Sequence, residues 1–213
     1  MAFYNAISDA SNFVISFTPN PQQDFPIFAK GYAQAAAILA KHFLEERPRF
    51  SDYEAYPIVF LYRHAFELYL KGFCYRATLI SAFQGEALHA LKKKTLYTHR
   101  LLPLAEAFQR ICEVLWPTEQ DLLQIAERTV QFAMEFEQID ANSFSYRYPI
   151  DTKGMPSTKW HQVVNLRALH TSMQAFLAEL EKVDFGFTVE SCHAQEVYEI
   201  LQNRYRRYVV SRR

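Results

Sequence analysis

A chain of 213 residues is long enough for one domain with a sizeable core and terminal extensions. Half of its residues are hydrophobic, 22% are charged, and five glycines leave little material for turn-rich β architecture, so the composition predicts an all-α globular fold. With 23 basic against 23 acidic side chains, no overall field draws the protein to nucleic acid or an anionic membrane, and any such attraction must come from a local patch.

Residues 1–20 mix aromatic and small polar residues and close on Thr18-Pro19-Asn20-Pro21, which predicts an irregular leader ending in a turn. Its start lacks a basic segment followed by a continuous apolar one, and no stretch of the chain reaches about 18 uninterrupted apolar residues. A membrane partner and secretion are therefore not expected. The scattered cysteines Cys74, Cys112 and Cys192 show neither CxxC nor His-plus-Cys spacing, which fits a reducing cytoplasm and predicts no metal and no cofactor.

From Asp24 to Glu46, Phe28, Tyr32, Ala35, Ala36, Leu39, Phe43 and Leu44 recur at three and four, an amphipathic helix that Arg47-Pro48 ends. Ser51-Asp52 then offers N-cap residues for a helix from about Tyr53 to Ile80, with Pro57 tolerated near its beginning. Gly85 and Lys92-Lys93-Lys94 mark a polar connection before a helix from His99 to Leu115. Trp116-Pro117 breaks that helix, Thr118 with Asp121 resembles a capping box, and Leu122 to Phe136 carry the next helix to about Asp140. A loop rich in tyrosine and proline follows. A further helix is expected from about Ser157 to Val183, with Gly186 closing the main unit and Val197, Ile200, Leu201, Tyr205 and Tyr208 defining a last helix. The organisation expected is a leader at 1–20, a helical bundle at 21–185, and a C-terminal helix with a basic tail at 186–213.

The Tyr53–Ile80 helix carries the chemistry. At 100° per residue, Arg63, His64, Glu67, Lys71, Cys74 and Thr78 share one arc about 100° wide, and apolar residues fill the rest. Such a helix is central, so its polar seam must face another helix or a cavity. One reading is a ladder of i,i+4 salt bridges through Arg63, Glu67 and Lys71. The other is an anion site in which Arg63 and Lys71 hold a phosphate or carboxylate, with His64 and His99 as titratable partners. Two cations and one carboxylate leave unmatched positive charge. The loop Tyr146-Arg147-Tyr148-Pro149-Ile150-Asp151 is expected to close over the seam, either as a lid whose Arg147 pairs with a carboxylate such as Glu67 or as part of a ligand site. Asp151 or a bound anion would supply the missing charge.

Two other places draw attention. In the C-terminal tail, Arg204, Arg206, Arg207, Arg212 and Arg213 interleave with Tyr205 and Tyr208, a composition suited to phosphate contact with stacking. His161 and His170 lie nine positions apart and do not form a close pair on one helix face, so they do not point to a metal.

The ordered set Phe60-Leu-Tyr-Arg-His-Ala-Phe-Glu-Leu-Tyr-Leu-Lys-Gly, His99-Arg-Leu-Leu-Pro-Leu and Phe144-Ser-Tyr-Arg-Tyr-Pro-Ile-Asp resembles bacterial members of the HEPN superfamily across residues 25–183. The resemblance implies an antiparallel α-helical bundle, frequent homodimers, and roles in RNA cleavage, toxin–antitoxin pairs and phage defence. In catalytic members an arginine is followed after four to six residues by a histidine, the histidine acting on the 2′-hydroxyl and the arginine on the charged phosphorane, without metal. No arginine here has that spacing. Lys94 to His99 comes nearest, with lysine in place of arginine, so an endoribonuclease would need a rearranged site of Arg63, His64, His99 and Arg147. The resemblance thus implies a protein that binds a nucleic acid, a nucleotide or a protein partner through the seam and the Tyr-Arg-Tyr loop. A metal-independent endoribonuclease and a non-catalytic structural interaction module are the alternatives.

Overall fold

The computed structural model describes residues 24–46, 52–84, 93–140, 143, 145–158 and 163–210, with backbone alone for 84, 93, 94 and 204–210. The 1–20 leader, Lys92, Trp160, His161, Arg212, Arg213 and the side chains of Arg204, Arg206 and Arg207 lie outside the described residues. The helices are α1 (Phe25–Glu45), α2 (Tyr56–Gln84), the single turn α3 (Lys93–Leu96), α4 (Leu101–Leu115), α5 (Gln120–Asp140) and α6 (Leu166–Val210), with a 3-10 turn at Asp52–Ala55. No strand occurs among the described residues beyond an isolated bridge between Ile150 and Pro156. The chain is an all-α helical bundle, as its glycine-poor composition predicts.

α2 is the central helix. It packs against α1, α4 and α6, and Tyr62, Ala65, Phe66, Leu70, Phe73, Cys74 and Ala77 along it are fully out of water. Paired contacts give the helix directions. Gly72 meets Pro26 while His64 meets Tyr32, so α1 runs antiparallel to α2. Phe66 touches Phe136 while Arg63 reaches Asp140, so α5 is antiparallel too. Tyr62 pairs with His170 and Phe73 with Phe187, which makes α6 parallel to α2; Arg63 with His99 and Phe73 with Phe108 make α4 parallel as well. The bundle is therefore antiparallel between α1 and α2, α4 and α5, and α5 and α6, while α2, α4 and α6 share one direction. The approach of α1 to α2 is close because Gly72 has no side chain: a Cβ there would lie 3.1 Å from Pro26 Cγ.

Two expected boundaries move. Gly186 does not close the main unit but lies inside α6, which continues to Val210. A glycine within a helix costs about 1 kcal/mol relative to alanine. Its neighbour Phe187 is 2% exposed among Phe73, Phe108 and Trp116, and burying such a ring gains about 1.5–3 kcal/mol, so packing carries the helix through. At its other end α6 begins at Leu166 rather than near Ser157. Asn165 is the N-cap, its Oδ1 accepting the Ala168 N–H at 3.0 Å.

His99 also falls outside the helix it was expected to open. α4 starts at Leu101 after an extended Arg100, and Glu137 of α5 supplies the cap, accepting the Leu102 N–H at 3.2 Å and a bond from the Arg100 guanidinium at 2.8 Å. Residues 98–100 are thereby held as an irregular segment beside α2, which brings the His99 carbonyl to Arg63.

Candidate functional site

The polar seam of α2 is buried. Arg63 is 0%, Glu67 1% and Lys71 8% exposed, because the other sides of the helix are too apolar to be turned to solvent. Glu67 is the hub: its Oε2 accepts from Arg63 at 3.1 Å, and its Oε1 accepts from Lys71 Nζ at 2.8 Å and from His99 Nδ1 at 2.9 Å. Burial alone would push the Glu67 carboxyl up. The hydrogen bond and charge of Lys71, the His99 hydrogen bond and the Arg63 charge outweigh burial and hold it below the usual glutamate range. An ionised carboxylate only accepts, so His99 Nδ1 carries the proton and its Nε2 is left for other partners.

Asp151 does not supply the missing negative charge. Its Oδ1 accepts the Lys153 and Met155 N–H groups at 2.8 and 2.9 Å, and these bonds depress its pKa within a tight turn that Gly154 completes at φ 76°. The charge comes from Asp140, the last residue of α5, whose Oδ2 lies 3.2 Å from Arg63 Nε. Arg63 also donates to the Asp140 carbonyl at 3.2 Å and the His99 carbonyl at 2.8 Å, satisfying a carbonyl that the end of α5 leaves without a helical partner. The buried set is thus two cations and two carboxylates, and the ladder is electrically closed from within. Asp140 was not expected in this role. Its signal was an acidic residue at a helix C-terminus, where the helix dipole disfavours it unless a cation compensates.

The 145–158 loop is anchored to the same place. Asp140 Oδ1 accepts the Ser145 N–H at 2.9 Å, and the Ser145 hydroxyl lies 3.0 Å from the Ile139 carbonyl and 2.7 Å from the Ser157 carbonyl. Tyr146 turns inward to 9% exposure beside Tyr56, and burial, followed by the Asp140 charge, pushes its phenol up to about 12. Arg147 and Tyr148 turn outward. Arg147 does not pair with Glu67 in the seam; its Nε donates to the Ser143 carbonyl at 2.6 Å, and its guanidinium sits 5.5 Å from the centroids of both Phe60 and Tyr148. Ser143, at φ 63°, is the non-glycine residue in the left-handed region among those described, and that turn aims its carbonyl at Arg147.

His64 lies under this surface, edge-on to Tyr32 at 4.6 Å and stacked on Phe60 at 5.5 Å. Burial lowers its pKa; the Glu67 charge opposes that, and Lys71, Arg147 and Arg63 add to it. It is neutral at pH 7. Of the expected site residues, the structure therefore gathers Arg63, Glu67 and Lys71 inside the seam, sets His99 against Glu67 from the exposed side, and places His64, Arg147 and Tyr148 at the edge. Tyr146 packs beneath, and Asp151 is not at the seam.

The Tyr62 hydroxyl, pushed up to about 12 by burial, keeps its proton and lies 2.6 Å from His170 Nδ1, which ties α2 to α6. Cys74 and Cys112 are buried and reduced, and Cys192 is exposed. Among the described residues no group of three His, Cys, Asp or Glu side chains is placed to hold a metal, and no helix is long and apolar enough to cross a membrane. Comparison with known proteins returns no matching family model, no matching curated protein and no matching solved structure.

Proposed function

We propose that this is a HEPN-like helical protein that binds a phosphate-bearing ligand, a nucleic acid or nucleotide, at the outer edge of the seam. The observation that carries the reading is the setting of Arg147. Its guanidinium is exposed, yet Nε is pinned to the Ser143 carbonyl and the group is braced by Phe60 and Tyr148. A guanidinium ordered before the ligand arrives loses little conformational freedom on binding. His99, 61% exposed and oriented by Glu67, adds a second donor on the same polar seam. The closed charge balance of Arg63, Lys71, Glu67 and Asp140 argues against an anion inside the seam and moves the ligand to the edge.

The test is fluorescence anisotropy of a labelled single-stranded oligonucleotide with the native protein at rising salt. Affinity is expected to fall steeply with ionic strength, as counterion release requires. Absence of binding at low salt would leave a non-catalytic interaction module, with the seam as an internal brace, as the remaining reading.

One observation favours a second reading, a metal-independent endoribonuclease. A carboxylate fixes the His99 tautomer and leaves Nε2 outward, the arrangement a general base needs to take the proton of a 2′-hydroxyl. Arg147 would then meet the phosphorane charge. Incubation of purified protein with total RNA in EDTA decides it: cleavage lost in His99→Ala supports the enzyme, and intact RNA removes it.

A further inference from the structure

α6 outruns the described part of α2. Phe83, next to the last residue of α2, meets Tyr198 with ring centroids 5.4 Å apart, and α6 then continues from Glu199 to Val210, a further length of about 18 Å. Where the two helices part, Val197, Ile200 and Leu201 are 44%, 47% and 58% exposed, and at 100° per residue the three fall within one arc about 100° wide. An apolar stripe of this kind costs free energy while it faces water. The charges of the same segment are sorted along it: Glu190, Glu196 and Glu199 come first, and Arg204, Arg206 and Arg207 follow. None of these acids has an arginine three or four positions on, the spacing at which a helix can match its own charges, and none is salt-bridged among the described residues.

We infer that the C-terminal part of α6 pairs with the same segment of a second copy of this chain, the two helices running antiparallel. In that arrangement the acidic stretch 190–199 of each copy lies along the basic stretch 204–207 of the other, so the charge is matched at both ends of the contact. A parallel pair would set acid against acid and arginine against arginine, which is unfavourable. The two-fold axis falls near Leu201, midway between the charged stretches. It brings Val197, Ile200 and Leu201 of the two copies together at the centre, and a contact of this symmetry closes on itself as a dimer. The shared length, 190–210 in each copy, is about 30 Å. Each helix is already nucleated by the bundle it leaves, so pairing carries no cost of starting a first turn.

The experiment is sedimentation equilibrium of the full chain at low and high salt. Native protein is expected to show a monomer–dimer equilibrium whose Kd rises about tenfold from low to high salt, because screening weakens exposed charge pairs. At low salt, a chain with Glu190→Lys, Glu196→Lys and Glu199→Lys should be monomeric, and so should one with Arg204→Glu, Arg206→Glu and Arg207→Glu. A chain carrying all six changes should dimerise again, since an antiparallel contact then meets the same pairs exchanged. Circular dichroism of each variant separates loss of pairing from loss of helix. A native protein that stays monomeric up to about 100 µM at low salt overturns the pairing; if truncation after Asn203 then weakens oligonucleotide binding, the arginines serve a polyanion instead. A dimer that tightens with salt, one indifferent to both triple reversals, or a six-change chain that keeps its helix but stays monomeric also overturns it. The salt arm uses unmutated protein, so a folding defect in a variant does not blunt the test.

Discussion

Arg63 lies within the polar seam and Arg147 at its edge, and the two are used in opposite ways. Arg63 is wholly buried; it donates to Glu67 and two backbone carbonyls and is ion-paired with Asp140. Arg147 is exposed; its Nε donates to the Ser143 carbonyl and its guanidinium lies over the Phe60 and Tyr148 rings. The difference teaches where to look for function in a charged helix face. A buried charge has to be matched by the protein itself, because leaving it unmatched costs several kcal/mol, and a matched charge has little left to offer a ligand. A charge exposed at the rim and ordered by its neighbours stays within reach of a ligand.

The largest effect expected from breaking this contrast is at its buried end. Arg63→Ala leaves Glu67 and Asp140 short of their shared cation and should destabilise the fold by about 3–5 kcal/mol in urea denaturation. A loss under 1 kcal/mol would mean that the ladder is not a structural brace.

Asp140 and Asp151 make the second comparison. Asp140→Asn removes the charge opposite Arg63 and should lower the denaturation midpoint clearly, whereas Asp151→Asn should leave it where it is, because among the described residues Asp151 bonds within its own turn. If both variants behave alike, the placement of the balancing charge is wrong.

A smaller effect concerns acid. Glu67 has a folded pKa below its ordinary value, so its contribution to stability is present above the ordinary glutamate range and is lost as pH falls through the folded value. Stability measured from neutral pH downward should therefore decline less in Glu67→Gln than in the native protein, even though the variant starts lower. Parallel curves would show that Glu67 does not hold this balance.

Much of this organisation was legible in the residues. The recurrence of Phe66, Leu70, Phe73 and Ala77 around α2 left one face for Arg63, Glu67 and Lys71, and their burial follows from that pattern alone. The span of α5 and its end at Asp140 were also readable. What was not readable depended on contacts distant in sequence. Phe187 packs against Phe73 and Trp116 and carries α6 through Gly186, which local propensity marks as a break. Asp140 meets Arg63 across 77 positions, while Asp151, closer to an obvious motif, is held by the Asp-Thr-Lys-Gly turn that its own sequence encodes. His99 was expected near the seam and is there, but as a residue ahead of α4 rather than within it.

On this reading the buried seam holds the fold and its exposed edge holds the ligand. The most direct test takes one preparation of Arg147→Ala and measures both its urea denaturation midpoint and its affinity for labelled octaadenylate at low salt. An unchanged midpoint with binding weakened about tenfold, the scale of a lost charge-assisted contact, is the expected result. Unchanged binding, or a loss of stability as large as that of Arg63→Ala, would contradict the division of the seam into a structural end and a binding end.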